Sequence, residues 1–160
     1  YLTVYNTAGD NFFFGTGDFT IEGWLYTTTV AAGARTICAT RTSASDTTAG
    51  RFSIYLRAAA LEFYSGSAAV VSAGTATTNT WTHFAVTRNS GNIRLFLAGS
   101  QVGSTTSFTT SMPTALNLTV GDNAAGTESW NGYLDEIRVT KGYARYVANF
   151  AAPTSAHLLL

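Results

Sequence analysis

The amino-acid sequence predicts an all-β protein, an antiparallel β-sandwich, on three observations. About a dozen short runs rich in β-branched and aromatic residues recur at spacings of roughly 8–12 residues, with Gly, Asn, Ser and Asp between them. No stretch carries the apolar period of a long amphipathic helix. Pro113 and Pro153 both fall outside the runs, as a ladder of backbone hydrogen bonds requires.

The runs are expected as follows. Tyr1–Tyr5 opens the chain and Phe12–Phe14 is a short second run, closed by a turn at Gly15-Thr16-Gly17-Asp18. Phe19–Tyr26 (FTIEGWLY) is apolar on both faces apart from Thr20 and Glu22, which predicts a central strand covered on both sides, or covered by a neighbouring loop. Arg35–Arg41, Gly50–Arg57, Leu61–Ser65 and Ala68–Ser72 follow. Trp81–Arg88 and Asn92–Leu97 flank Asn89-Ser90-Gly91, a hairpin signal. Gln101–Thr105 and Leu116–Gly121 lead to the last run, Tyr133–Thr140. Strict alternation there puts Tyr133, Asp135, Ile137 and Val139 on one face and Leu134, Glu136, Arg138 and Thr140 on the other. Beyond it Tyr143, Tyr146 and Phe150 sit among small residues with no period, a segment expected to wrap back and be pinned by its rings.

A chain of 160 residues suits one domain, 1–160, with the tail occupying 141–160. Aromatic residues at 13% and hydrophobic residues at 46% exclude a disordered chain. Charged residues make up only 11%, so the surface is built from small neutral polar groups, which suits a protein packed beside copies of itself, a homo-oligomer, or one exposed to variable salt. Nine Lys and Arg on a chain of zero net charge assemble no basic patch, so a nucleic-acid partner is not expected. No apolar run is long enough to span a bilayer, so membrane insertion is not expected either. Cys38 is alone and reads as a small buried side chain. With no intrachain disulfide and no basic-then-apolar leader, the expectation is a protein made in the cytoplasm.

Five segments, in order, resemble laminin-G-like (concanavalin A-like) jelly-roll domains. Gly17-Asp18-Phe19-Thr20-Ile21-Glu22-Gly23-Trp24 is similar to the opening strand of that family, and Trp81-Thr82-His83-Phe84-Ala85-Val86-Thr87-Arg88 to a later one. The hairpin Ile93–Gly103 and the strand Leu116-Asn117-Leu118-Thr119-Val120-Gly121 fit the same order. The fifth segment, Trp130–Phe150, resembles the closing strand and tail, and its Lys141-Gly142-Tyr143-Ala144-Arg145-Tyr146 version is similar to those of bacteriophage virion proteins. The resemblance implies a concanavalin A-like jelly roll. It implies a place at the surface of a virion, as a tail fibre, head fibre or capsid decoration, with other virion proteins and cell-surface glycan as partners.

Hydrolysis of a glycan needs two carboxyls facing one another across about 5–9.5 Å. Asp135 and Glu136 are adjacent and so point to opposite faces, and neither Glu22 nor Glu62 has an acidic neighbour two residues away. No Gly-x-Ser-x-Gly elbow exists, and His83 has no second His or Cys spaced to share a metal. The protein is therefore expected not to be an enzyme. Glu22, inside an apolar strand, and Asp135 are expected to be paired, either with a loop's backbone amides or with an Arg such as Arg138 or Arg145. The alternative for such carboxylates is a Ca2+ site, which the resemblance also implies, with Asp135 as the best-placed ligand and Asp10, Asn11 or Asp122 as loop partners. A sugar site combines an exposed ring with polar side chains. Asp122, Asn123 and Glu128 supply the polar groups and Trp130 and Tyr143 the rings, while the competing reading puts Trp130 and Tyr133 in the core. Tyr64 beside Ser65-Gly66-Ser67 is a second candidate. Three functions follow: a non-enzymatic lectin-like virion module for glycan recognition or assembly, a carbohydrate-binding module of a secreted bacterial enzyme or adhesin, and a glycan hydrolase.

Overall fold

A computed structural model of the chain describes residues 1–6, 12, 14–30, 32–113 and 117–154. Eleven strands are present and no helix among the described residues. They are β1 (Leu2–Val4), β2 (Phe19–Thr27), β3 (Arg35–Ala39), β4 (Phe52–Arg57), β5 (Ala60–Ser65), β6 (Ala68–Ala73), β7 (Thr82–Asn89), β8 (Asn92–Leu97), β9 (Ser100–Ser107), β10 (Leu118–Val120) and β11 (Gly132–Lys141). Two antiparallel sheets face each other, ordered β1-β10-β3-β4-β5-β6 and β11-β2-β7-β8-β9. This is the predicted sandwich, with strand bounds within a few residues of the runs. Phe12–Phe14 is the exception: Phe13 lies outside the described residues, and among the described residues the ladder contact nearby is an isolated bridge from Gly15 to Met112.

The core follows from period-two alternation. Phe19, Ile21 and Leu25 of β2 and Phe84 and Val86 of β7 point inward, fully buried, onto Phe52, Ile54, Leu61 and Phe63 of the other sheet. Cys38 lies in this core, where burial pushes its thiol up to about 12, so it is an inert apolar filler.

Arg88 continues the inward row of β7 and is the largest fully buried side chain. Its guanidinium lies over the rings of Phe19 and Phe108 and donates to the carbonyls of Gly17 and Gly15, each at 2.7 Å, and of Thr110 at 3.2 Å. One charge thus closes the end of the sandwich, tying the turn before β2 to the segment after β9.

The alternation predicted for β11 is corrected by the structure. Asp135 pairs with Trp24, but the next pair is Arg138 with Glu22, so Glu136 and Ile137 together oppose Gly23. Glu136 takes a positive φ of 53°, the mark of a β-bulge. Tyr133 and Asp135 therefore share the outer face with Arg138 and Thr140, while Leu134, Ile137 and Val139 pack toward the core. Gly23 is what lets Ile137 settle there: a Cβ at that position would lie 2.6 Å from Ile137 Cδ1.

Candidate functional site

The outer face of the five-stranded sheet has two halves, and the C-terminal tail decides which is open. After β11 the chain turns at Gly142, whose N–H donates to Asp18 O, and runs back across β2, β7, β8 and β9. Thr20 Oγ1 donates to Tyr143 O and accepts Arg145 N–H, Thr87 Oγ1 donates to Tyr146 O, and Phe150 N–H donates to Gly99 O. The rings of Tyr146 and Phe150 stack at 3.5 Å and cover His83 and Phe96. The predicted wrapping is thus present in Tyr146 and Phe150, whereas Tyr143 contributes its carbonyl and leaves its ring 63% exposed. Gly99, at φ 79°, is required for the close approach, since a Cβ there would clash with Phe150 O.

Beneath the tail, Glu22 is fully buried and fully paired. Arg138 donates to Oε1 from two nitrogens, at 2.8 and 3.0 Å, and Tyr146 OH donates to Oε2 at 2.8 Å. His83 Nε2 stands 3.4 Å from Oε2, at the limit of hydrogen-bond reach, and Arg145 Nε 3.7 Å from Oε1. Burial by itself raises the carboxyl, but the contacts from His83, Tyr146 and Arg138 outweigh it and hold the group at about 2. Tyr146 is pushed the other way, up to about 12, by its own burial and by Glu22. Tied to Arg138 of β11 and to Tyr146 of the tail, Glu22 anchors the tail to the sheet.

Beyond the tail, the same face carries an open group of rings. Tyr133 and Tyr26 are cross-strand partners, and Trp81 stands just before β7, where it extends the outward row of His83. Tyr26 lies 5.6 Å from Trp81 and 5.7 Å from Tyr133, and the latter two are 6.4 Å apart, centroid to centroid. The three form a triangle with Tyr26 half-buried at its base, Trp81 44% exposed and Tyr133 64% exposed. Polar groups rim it. Asp135 is exposed on the same face two residues from Tyr133, with Oδ1 accepting Glu136 N–H. Asn131 accepts from Thr28 Oγ1 at 2.9 Å and donates to Thr29 Oγ1.

The residues singled out from the sequence separate. Tyr133 is not a core ring but the most open member of this triangle. Trp130 is partly buried against the core and donates from Nε1 to Tyr133 O, so it braces the triangle from behind. Tyr143 lies past the far end of β11, where its carbonyl meets Thr20, about 20 Å of strand away from Tyr26 and Tyr133. Asp122, Asn123 and Glu128 are buried and organise their own loop. Asp122 accepts from Asn123 N–H, Glu128 N–H and Ser129 Oγ; Asn123 Oδ1 accepts from Ala125 N–H and Thr127 N–H; Glu128 accepts from Thr36 Oγ1. Their oxygens are spent on donors, which does not fit cation ligation, and among the described residues no three His, Cys, Asp or Glu side chains converge as a metal set. Asp10 and Asn11 lie outside the described residues. Tyr64 is covered by Arg41, whose guanidinium carbon sits 4.4 Å from its ring centre.

Comparison with known proteins gives a consistent family. The concanavalin A-like lectin/glucanases superfamily matches residues 2–145. No curated protein matches the chain in sequence. Among solved structures, domain 4 of an extracellular arabinanase from Geobacillus stearothermophilus, in complex with arabinotriose, superposes at TM-score 0.64 with 16% identity, over 84% of this chain and 65% of that one. The CBM40 of Ruminococcus gnavus IT-sialidase gives TM-score 0.63 and 11% identity over 82% and 79%. Domains LG4-5 of the mouse laminin α1 chain give 0.60 and 15% over 88% and 42%. The chain therefore spans just under two thirds of the first of these and less than half of the last.

Proposed function

We propose, from the premise that the chain belongs to the concanavalin A-like lectin/glucanases superfamily, that it is a non-enzymatic, lectin-like module whose sugar site is the triangle of Tyr26, Trp81 and Tyr133. The observation that carries this reading is that these rings cluster in the open, on a sheet face whose other half is sealed. Exposed large apolar groups in a contiguous patch mark interaction sites. Rings of this kind stack on the apolar face of a pyranose, while Asp135 and Asn131 are placed to take its hydroxyls. Arabinotriose on domain 4 of the arabinanase and α2,3-sialyllactose on the CBM40 support a saccharide as ligand. Non-enzymatic action is supported by the loss of Glu22 to the tail anchor.

A glycan array on the intact protein, followed by titration calorimetry on its hits, tests this. Trp81→Ala and Tyr133→Ala are expected each to weaken binding by about 2 kcal/mol, roughly thirtyfold, because central aromatic anchors dominate recognition. Their melting temperatures should stay close to wild type, since both rings already face water. Absence of any glycan ligand, or unchanged affinity in both variants, overturns the reading.

The setting we propose is the surface of a virion, supported by the Lys141–Tyr146 tail pattern. Mass spectrometry of purified particles checks it, and absence of the chain from particles would instead favour a module of a secreted enzyme, the setting of the arabinanase domain.

A further inference from the structure

The opposite side of the sandwich carries a second, chemically different site. The ends of β1, β3 and β10 and residues 40–51 enclose a crevice of about 230 Å3, lined among others by Thr3, Arg41, Thr42, Arg51, Asn117 and Thr119. That is room for several waters, or for one sugar-sized group. No aromatic ring lines it. Its charged lining residues are two arginines.

The charge there is unbalanced. Arg41 is only 3% exposed, and its partners are neutral: Nε donates to Asp46 O, Nη2 to Ala44 O, and the guanidinium rests on Tyr64. Arg51 Nη1 pairs with Asp46 Oδ2 at 2.8 Å, while its Nε is buried without a hydrogen-bond partner. The single carboxylate is itself shared, since Asp46 also accepts from Thr42 N–H, Thr42 Oγ1 and Thr48 N–H. Among the described residues, two guanidiniums thus face one carboxylate, which leaves one positive charge without a counter-charge in a partly dehydrated space. Asn117 spends its Oδ1 on Asn6 N–H, which turns its amide nitrogen into one more donor. Buried charge calls for a counter-charge, and a planar guanidinium fork suits a carboxylate or sulfate.

We propose that this crevice is a subsite for an oxyanion group, carboxylate or sulfate, carried by an acidic saccharide. The saccharide half of the assignment rests on the lectin reading above; the oxyanion half stands on the charges alone. The two sites lie on different sheets, so one chain can hold a glycan by rings on one side and read acidity on the other.

Two-dimensional NMR of the intact protein tests it, with glucuronic acid, galactose 6-sulfate, glucose and sodium sulfate as separate probes. Both acidic sugars are expected to shift the Thr42 and Asn117 backbone amides and the Arg51 side-chain Nε–H saturably, and glucose is not. Asn117→Asp keeps the acceptor for Asn6 N–H while neutralising the surplus charge, and Arg51→Gln removes one fork. Each is expected to weaken acidic-sugar binding by at least about tenfold with the fold intact. Trp81→Ala is expected to leave these shifts unchanged, so this site and the ring site succeed or fail separately. Equal shifts with glucose, or wild-type binding by Asn117→Asp, would overturn the site. Sodium sulfate binding as tightly as the sulfated sugar would overturn the saccharide assignment.

Discussion

Replacing Glu22 with alanine is expected to destabilise the protein by about 4 kcal/mol, because removing one partner of a buried ionic cluster strands the others. Arg138 loses both its hydrogen bonds to Glu22, Tyr146 OH loses its acceptor, and the buried His83 loses the carboxylate 3.4 Å from its Nε2. Urea denaturation measures the loss. Limited proteolysis reports the local consequence, since the segment after Lys141 should become cleavable before the sandwich unfolds. Glu22→Gln, which keeps the volume and an acceptor, should cost about half as much. The pH dependence has a definite sign. The carboxyl is held at about 2 against an ordinary 4.5, so its stabilisation is complete above 4.5 and is lost as pH falls toward 2. A shift of that size corresponds to about 3 kcal/mol. Melting temperatures taken from pH 5 to pH 2 should therefore fall more steeply in wild type than in Glu22→Gln. Parallel slopes would show that the carboxylate carries no such linkage.

Arg88→Met is the second large effect, expected to cost about 3 kcal/mol by chemical denaturation. Methionine fills a similar volume between Phe19 and Phe108, so little cavity is added. What is lost is the donor. Gly15 O retains the N–H of Met112, while Gly17 O and Thr110 O, on exposed residues within reach of water, each lose a hydrogen bond to a charged donor, a bond of about 1.5–3 kcal/mol. Arg88→Lys keeps the charge but offers one compact head for carbonyls spread over both loops, and should fall between methionine and wild type. A methionine variant as stable as wild type would mean that the two loops hold themselves in place.

Most of the fold was legible because a strand half-buried in a sheet writes its period into the chain. Phe19, Ile21 and Leu25 alternate with Thr20, Glu22 and Trp24, and the turns carry Gly and Asn where the backbone reverses. The bulge at Glu136 was not legible: it arises from two residues of β11 meeting one of β2, a property of the pair, and it inverted the face assigned to Ile137 and Val139. The site was half legible. Asp135 stands beside the ring triangle, but the sequence pointed to it as a cation ligand, not as a neighbour of rings. Tyr26 and Trp81 were missed, although they lie in phase with the outward Glu22 and His83. Phase tells which side a ring takes, but not whether anything lies on top of it, and here only the tail's reach separates the sealed half from the open one. The hydrogen bonds of Asp122 and Asn123 within their own loop were not legible for a related reason: loop carboxylates and amides serve their own backbone as readily as a ligand.

The tail also bears on where the chain can be cut. Family similarity ends at residue 145, one residue before the phenol that caps Glu22 and five before the ring stacked upon it. A fragment trimmed to that limit would keep every strand yet leave a carboxylate, an imidazole and the Phe96 ring open to water. The working boundary of this unit lies past Phe150, at the point where the borrowed cover ends rather than where the shared strands do.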